Sequence, residues 1–492
     1  MTTQTLIESN ELFIGGGWVA PQGSDRIDVF SASTEELIGS VPEGTNADLD
    51  AAVDAARRAF DDPQGWSSWP AEDRAQALER LAAAIDERAE EVSRRVSMQN
   101  GMPIAVATQL EGVFPQVLCR YYAGLIRATE LEEERAGLLG GTIIVRKQPV
   151  GVVGAIVPWN FPQALAAFKL APLLAAGCTV VMKPSPETVL DSLELAEAII
   201  EAGIPDGVIN IVPGGRELGA SLVEHPRVDK IAFTGSTAAG RLIASRCGEL
   251  LRPVTLELGG KSAAIILDDA DIAGSVEQLF AATLLNNGQT CYLGTRVLAP
   301  RSRYDEVLGV FGGLAGSLQV GDALDPATQI GPMASRRQRE RVEGYIAKGK
   351  AEGARVVAGG EPSEQERGWF VQPTIFADVE NSSTIAQEEI FGPVLSVIPY
   401  DAEDEALAIA NDSEYGLGGS VWTADPERGE ALARRVQTGS IGINHYMIDP
   451  AAPFGGVKAS GLGHELGPEG LAAYFSIQSI YKTAGPAATG AP

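Results

Sequence analysis

From Pro149 to Cys247 the chain repeats one unit: a short apolar run, a Gly or Pro turn, then a stretch of helical periodicity. Runs at 151–157, 179–182, 208–212 and 230–233 are followed by helical patterns at 163–175, 188–201, 217–223 and 237–247. Few architectures accept that rhythm, because parallel strands need long crossover connections, and helices supply them while covering both faces of the sheet. Further strand candidates at 263–267, 295–298, 355–358, 394–399, 419–422 and 440–443 carry an α/β pattern on from about 260 to 456. Ahead of the repeat, 12–19 and 26–30 read as an opening hairpin. Helices follow from Thr45, over 71–98 and over 104–127. Strands at 140–148 and 473–481 stand apart from both rhythms, and the Ala/Gly/Pro tail from Thr483 is expected to be mobile. The predicted class is α/β, with a discontinuous first body (1–125 and 150–259), a second body (260–460) and a small β element (126–149 and 473–492).

At 492 residues two or three domains are expected. A net charge of -27, from 38 basic and 65 acidic residues, would repel nucleic acid and anionic membrane, so neither is an expected partner. The longest apolar runs, such as 150–157, are too short to span a bilayer, and the start has no basic segment leading into an apolar one. Cys119, Cys178, Cys247 and Cys291 are too widely spaced for a disulfide framework or a zinc site. A reducing cytoplasm and no metal are expected.

Three polar residues stand out against apolar surroundings. Cys291 sits in Asn-Asn-Gly-Gln-Thr-Cys-Tyr-Leu-Gly, just past a helical pattern of Val276, Leu279, Phe280, Thr283 and Leu284. That setting suits a presented nucleophile, and equally a small buried thiol. Glu257 interrupts a strand-like run ahead of a glycine pair, where a carboxylate is costly without work or a partner. Asn160, between Pro158 and Pro162, is an amide fixed in a rigid turn at a strand end. Such an amide suits an oxyanion hole, or simply a turn.

Together with their neighbours these residues form a series. Trp159-Asn160-Phe161-Pro162, Lys183-Pro184-Ser185, Phe233-Thr234-Gly235-Ser236, Glu257-Leu258-Gly259-Gly260-Lys261, Gly288-Gln289-Thr290-Cys291, Glu388-Glu389-Ile390-Phe391-Gly392-Pro393 and Pro453-Phe454-Gly455-Gly456 follow in order. Over nearly the whole chain this resembles the NAD(P)-dependent aldehyde dehydrogenase superfamily. The resemblance implies that fold, with a Rossmann-like cofactor domain, a catalytic domain and a β oligomerisation element that makes dimers or tetramers. It also implies oxidation of an aldehyde to a carboxylic acid through a thiohemiacetal and a thioester on Cys291. Asn160 and the Cys291 amide would hold the oxyanion, and Glu257 would act as general base. Lys169 and Glu465 would relay protons, or form a plain salt bridge.

For the cofactor, no Gly-x-Gly-x-x-Gly follows the strand that ends at Val157; the implied site is the Gly235-Ser236 turn before a helix. Lys183 would reach the adenosine ribose, Glu389 and Phe391 the nicotinamide half, and Trp159 the pyrophosphate. Val157, Pro158, Ser185, Gly215, Phe233 and Leu258 complete the implied set. Phe114, Phe161, Leu165, Phe168, Tyr292 and Phe454 match or neighbour a substrate tunnel, which points to apolar medium-chain, aromatic or terpenoid aldehydes. Three positions depart from the family pattern. Pro186, with Glu187 one step late, stands where a Glu often reads the ribose; Tyr292 replaces a smaller residue; His464 replaces an Arg. NAD is expected, with NADP possible, since no Arg lies near Pro186 in the sequence to hold a 2'-phosphate. A CoA-acylating enzyme and a non-catalytic scaffold are the rival readings.

Overall fold

The computed structural model describes residues 6–483; beyond Thr483 the expected mobile tail lies outside the described residues. Five strands, Val152–Ile156, Thr179–Lys183, Ile209–Ile211, Lys230–Thr234 and Val254–Glu257, run parallel in one sheet. Val152–Ile156 lies centrally, between Lys230–Thr234 and Thr179–Lys183. Alternate side chains feed different cores. Val152, Ile156, Ile231, Phe233 and Leu256 pack into one apolar cluster, and Val153, Ala155, Ala232 and Met182 into another on the opposite face. That is why these strands read as continuous apolar runs. Since all five point the same way, Ile156, Lys183, Thr234 and Glu257 end on one edge, where ligands of parallel α/β sheets bind.

A second, seven-stranded sheet carries Ala263–Ile266, Arg296–Pro300, Val394–Tyr400 and Gly419–Trp422 in its parallel centre. Phe475–Lys482, Thr142–Pro149 and Glu132–Ala136 make a separate antiparallel sheet.

Several sequence expectations change. Leu12–Ile14 pairs with Gly17–Val19 at the edge of the first sheet, whereas Arg26–Phe30 pairs with Leu37–Pro42 in a sheet of its own, so the opening hairpin is 12–19 alone. The expected helix 71–98 is two, Ala71–Asp86 and Ala89–Asn100, because Arg88 (φ -103, ψ 1) leaves the helical conformation. Within 104–127 the turns widen to π geometry at Thr108–Val113. Glu132–Ala136, Glu-Glu-Glu-Arg-Ala, has no strand character of its own; pairing with Thr142–Pro149 makes it one.

Candidate functional site

The turn after Val152–Ile156 brings Asn160 under the Cys291 loop, and a set of asparagines fixes it there. The Asn100 side chain donates to the carbonyls of Trp159 (3.0 Å) and Asn160 (3.3 Å), and Asn286 donates to Asn160 O at 3.0 Å. The Asn160 amide donates one N–H to Gln289 O at 3.0 Å, which leaves its second for a ligand. The Cys291 loop begins where the helix Val276–Thr283 ends. Asn286, Asn287 and Gly288 then take φ of 52, 60 and 73, a left-handed bend that suits Asn and Gly. Gly260 packs against this loop so closely that a Cβ there would lie 2.3 Å from Cys291 O.

All four cysteines are free, and only Cys291 keeps partial exposure. Burial holds its thiol well above the ordinary range, and the Glu389 and Glu257 carboxylates push the same way. Glu257 is 2% exposed, and neither of its oxygens has a partner among the described residues. Burial, and then nearby Glu465, raise its pKa, while Lys169 opposes them. Lys169 and Glu465 form a buried pair at 2.7 Å, and Lys169 also donates to Thr234 Oγ1 at 2.6 Å. Burial thus disfavours charge on both the thiol and the carboxyl, and the thiol can hand its proton to Glu257 only when that carboxyl is ionised.

A cavity of about 420 Å³ opens from Cys291 and Asn160 along Pro158, Trp159, Gly235, Ser236, Leu258, Glu389 and Phe391. A second, of about 550 Å³, is walled by Lys183, Pro186, Glu187, Gly215 and Phe233. Arg337, from the helix Arg336–Ala351, lines both. The residues fit a dinucleotide laid across the two. At Gly259 a Cβ would meet Glu389 at 2.6 Å, so the backbone is bare there, and the adjacent Gly260 N–H donates to that carboxylate at 3.0 Å. Burial lifts Glu389 to about 7. Ser236 caps the helix Thr237–Glu249, whose N-terminal amides would suit a phosphate's charge. Lys183, lowered by burial to about 8, gives two of its three donors to Pro184 O and Gly214 O. The third remains for a ribose hydroxyl.

Ten of the twelve sequence-predicted cofactor residues line these cavities. Val157 is buried behind them, its N–H donating to Lys183 O, and Ser185 donates its hydroxyl to Glu187. The statement that no arginine lies near Pro186 holds only along the sequence. Arg337, 150 positions beyond Glu187, forms an ion pair with it at 3.3 Å.

On the other side of Cys291 the rings of Phe114 and Phe168 (6.0 Å), Phe168 and Phe454 (6.3 Å), and Phe454 and Tyr292 (6.2 Å) form a chain. Phe161 and Leu165 are buried in the same apolar cluster. Tyr446, not anticipated from sequence, stands edge-on to Tyr292 at 5.0 Å. It adjoins a cavity of about 260 Å³ whose lining includes His445, Met447, Asp449 and Phe454 but no Lys or Arg. An aromatic at the end of Gly-Ile-Asn-His-Tyr was the available signal. Gln338 and Arg341, also on the first cavity, had none, because they come from a helix far away in sequence.

The chain also matches known proteins. The sequence model described as the aldehyde dehydrogenase family matches residues 18–480. Geranial dehydrogenase of Castellaniella defragrans is 57% identical over 475 residues, which span 96% of this chain and 99% of that protein. An aldehyde dehydrogenase of Mycobacterium tuberculosis, solved with NAD+, superposes with a TM-score of 0.95 at 48% identity, over 98% of this chain and 100% of that one. A mutant of aldehyde dehydrogenase C of Pseudomonas syringae, solved with NAD+ and octanal, gives 0.92 at 39% identity over 96% of each chain.

Proposed function

The chain belongs to the aldehyde dehydrogenase family, and from that premise we propose that it oxidises apolar aldehydes of medium-chain, aromatic or terpenoid type with NAD. The Cys291 sulfur attacks the aldehyde carbon while its proton passes to Glu257. The resulting oxyanion is held by the Asn160 amide and the Cys291 backbone N–H. Bound across the two cavities, NAD supplies the hydride acceptor that lets this adduct become a thioester. Glu257 then takes a proton from a water whose oxygen attacks the thioester carbon. The C–S bond breaks, the sulfur takes back a proton from the newly formed carboxylic acid, and the carboxylate leaves with the thiol restored. A buried base beside the sulfur supports water, rather than the thiol of CoA, as the acyl acceptor, and a complete nucleophile, base and oxyanion set speaks against a scaffold.

The observation that carries the substrate class is the chain of aromatic rings running from Cys291 to an opening without Lys or Arg. Such a wall has nothing to clamp a substrate carboxylate. It stabilises a ligand by about 25 cal/mol for each Å² of apolar area removed from water, roughly 0.8 kcal/mol per methylene. The relatives named for geranial and crystallised with octanal lie in the same class. For the cofactor, Glu187 lines the ribose cavity although it comes one residue late, and it occupies Arg337 in an ion pair. A carboxylate there favours two free ribose hydroxyls over a 2'-phosphate, so NAD is preferred and NADP is the weaker second cofactor.

We further propose a division into a cofactor body (1–125 and 150–259), a catalytic body (260–460) and a β element (126–149 and 473–492) through which the protein forms a homodimer or homotetramer. Four free cysteines support a reducing, cytoplasmic setting. A panel of aldehydes assayed with each cofactor tests the reading. kcat/KM should rise several-fold per methylene from acetaldehyde to hexanal, geranial should be accepted, and succinic semialdehyde and betaine aldehyde should be poor. NAD should exceed NADP throughout. Preference for a charged aldehyde, or for NADP, would defeat it.

A further inference from the structure

The catalytic scheme leaves one buried group of titratable side chains unused. Lys230–Thr234 and Val254–Glu257 are neighbouring parallel strands in which Ala232 pairs with Thr255 and Thr234 with Glu257. Alternate residues share a face, so Lys230, Ala232 and Thr234 on one strand, and Thr255 and Glu257 on the other, all face the side away from Phe233 and Leu256. A polar strip results, in what is otherwise apolar core. Its catalytic end holds Glu257, Thr234, Lys169 and Glu465. Its far end holds Lys230, whose ammonium donates to Thr255 Oγ1 at 2.8 Å and lies 5.3 Å from the centre of the Tyr474 ring. Thr255 and Glu257 are two strand residues apart, roughly 6.7 Å.

The atoms left without partners lie along this strip. Both Glu257 oxygens, Glu465 Oε2 and the Tyr474 hydroxyl have no hydrogen-bond partner among the described residues, although all are buried. Buried polar atoms are satisfied by protein or by water, so four such oxygens on residues of one strip call for partners that the protein itself does not supply. The strip comes within one residue of the surface, since buried Thr255 lies directly beneath Gly463. Exposed Gly463 has no side chain, and a Cβ there would lie 3.5 Å from Thr255 Oγ1.

We propose that the protons collected by Glu257 leave along this strip, past Glu465 and Tyr474 to Lys230 and Thr255, and reach solvent beside Gly463 rather than through the substrate or cofactor openings. The inference rests on the reading of Glu257 as the base. In each half-reaction one proton arrives at Glu257, first from the thiol and then from water, and one passes to a solvent base at the far end. Only O–H and N–H bonds form and break, and no electrons move. Lys230 suits the role, since burial lowers it to about 8, against the opposing influence of Cys178, Glu465 and Cys247 around it. It therefore exchanges its proton within reach of neutrality. Lys230 and Tyr474 are positioning and relay residues; neither touches the substrate.

Three substitutions in the whole enzyme test this: Thr255→Val, Tyr474→Phe and Lys230→Met. The pre-steady-state burst of reduced nicotinamide should keep its amplitude and rate, while kcat falls about tenfold for Lys230→Met. The solvent isotope effect on kcat should rise, and added imidazole should restore kcat in the variant while leaving wild type flat. Lys230→Arg should not rescue, because a guanidinium keeps the charge but cannot release a proton near neutrality. Unchanged kcat in Lys230→Met and Thr255→Val would overturn the proposal. So would rescue by arginine, or equal losses of burst and kcat, which signal a structural role. Loss of the burst in every variant, with the Glu257→Gln burst absent as well, would instead indict the reading of Glu257. The other way out of the site passes Gly455, whose Cβ position lies 3.2 Å from Glu257 and 3.0 Å from the exposed His464 ring. If His464→Gln alone reproduced the kcat loss, the exit would lie there and the strip would be refuted.

Discussion

Burial sets the chemistry of single residues here, and it does so differently for residues of one type. Cys119 and Cys178 are sealed in the core and pushed up to about 12 and about 11, which makes them inert. Burial raises the Cys291 thiol too, yet it opens on a cavity and lies near Glu257, which can take its proton when ionised. Desolvation likewise raises the pKa of Glu257 in the folded protein, which makes the ionised form that acts as base harder to reach. A base must be deprotonated to act, so activity is lost as pH falls through that raised value and gained as pH rises through it. Glu257→Gln should remove this rising limb from the kcat profile and slow deacylation far more than acylation, giving a burst ahead of a slow steady state. A variant that kept the limb, or lost both phases equally, would show that Glu257 is not the water base. These residues were legible in the sequence because each is an isolated polar group in an apolar or Pro/Gly-bounded run. Arg337 was not, since what defines it is proximity to a residue 150 positions away.

At the scale of elements, the site depends on short segments pinned by side chains rather than by ladders. The end of the helix Ala89–Asn100 supplies the amide that holds the Trp159–Asn160 turn, and the Asn286 to Gly288 bend holds the sulfur's loop. This separates the donor from its holder. Asn160→Ala should lower kcat by about 10²–10³ by removing the oxyanion donor, and it also takes the donor from buried Gln289 O, at a cost of about 1–3 kcal/mol of stability. Asn100→Ala takes the side-chain donor from Trp159 O, while Asn160 O keeps Asn286, and should cost about 1–3 kcal/mol of stability together with a smaller loss of kcat. Steady-state kinetics on the pair, with thermal unfolding to confirm that both fold, decide it; equal losses of kcat would contradict the distinction. The parallel strands were readable from their alternation with helices. The break at Arg88 and the strand Glu132–Ala136 were not, because the first is one residue's backbone and the second exists only by pairing with Thr142–Pro149.

For the whole molecule, the sheet of Phe475–Lys482, Thr142–Pro149 and Glu132–Ala136 shows a surface too apolar for solvent alone. Ile477 is 62% and Tyr481 77% exposed, and Leu138 and Leu139 at the nearby turn are fully exposed. Patches of that kind mark association surfaces. Ile477→Asp combined with Tyr481→Asp should give a smaller species by light scattering while the circular dichroism of the α/β core is unchanged; an unaltered mass would place the contact elsewhere. The isolation of strands 140–148 and 473–481 was visible in the sequence, but their mutual pairing was not, since more than 300 positions separate partners such as Ser476 and Gln148.

The central claim is that Cys291 carries the acyl group that Glu257 helps water to remove. Glu257→Gln protein mixed with NAD and geranial, quenched in acid and digested, should yield a peptide containing Cys291 that is heavier by one acyl group. That adduct should form in step with reduced nicotinamide and be absent from the Cys291→Ala variant. An adduct on another residue, or a full burst of reduced nicotinamide with Cys291 unmodified, would contradict the account.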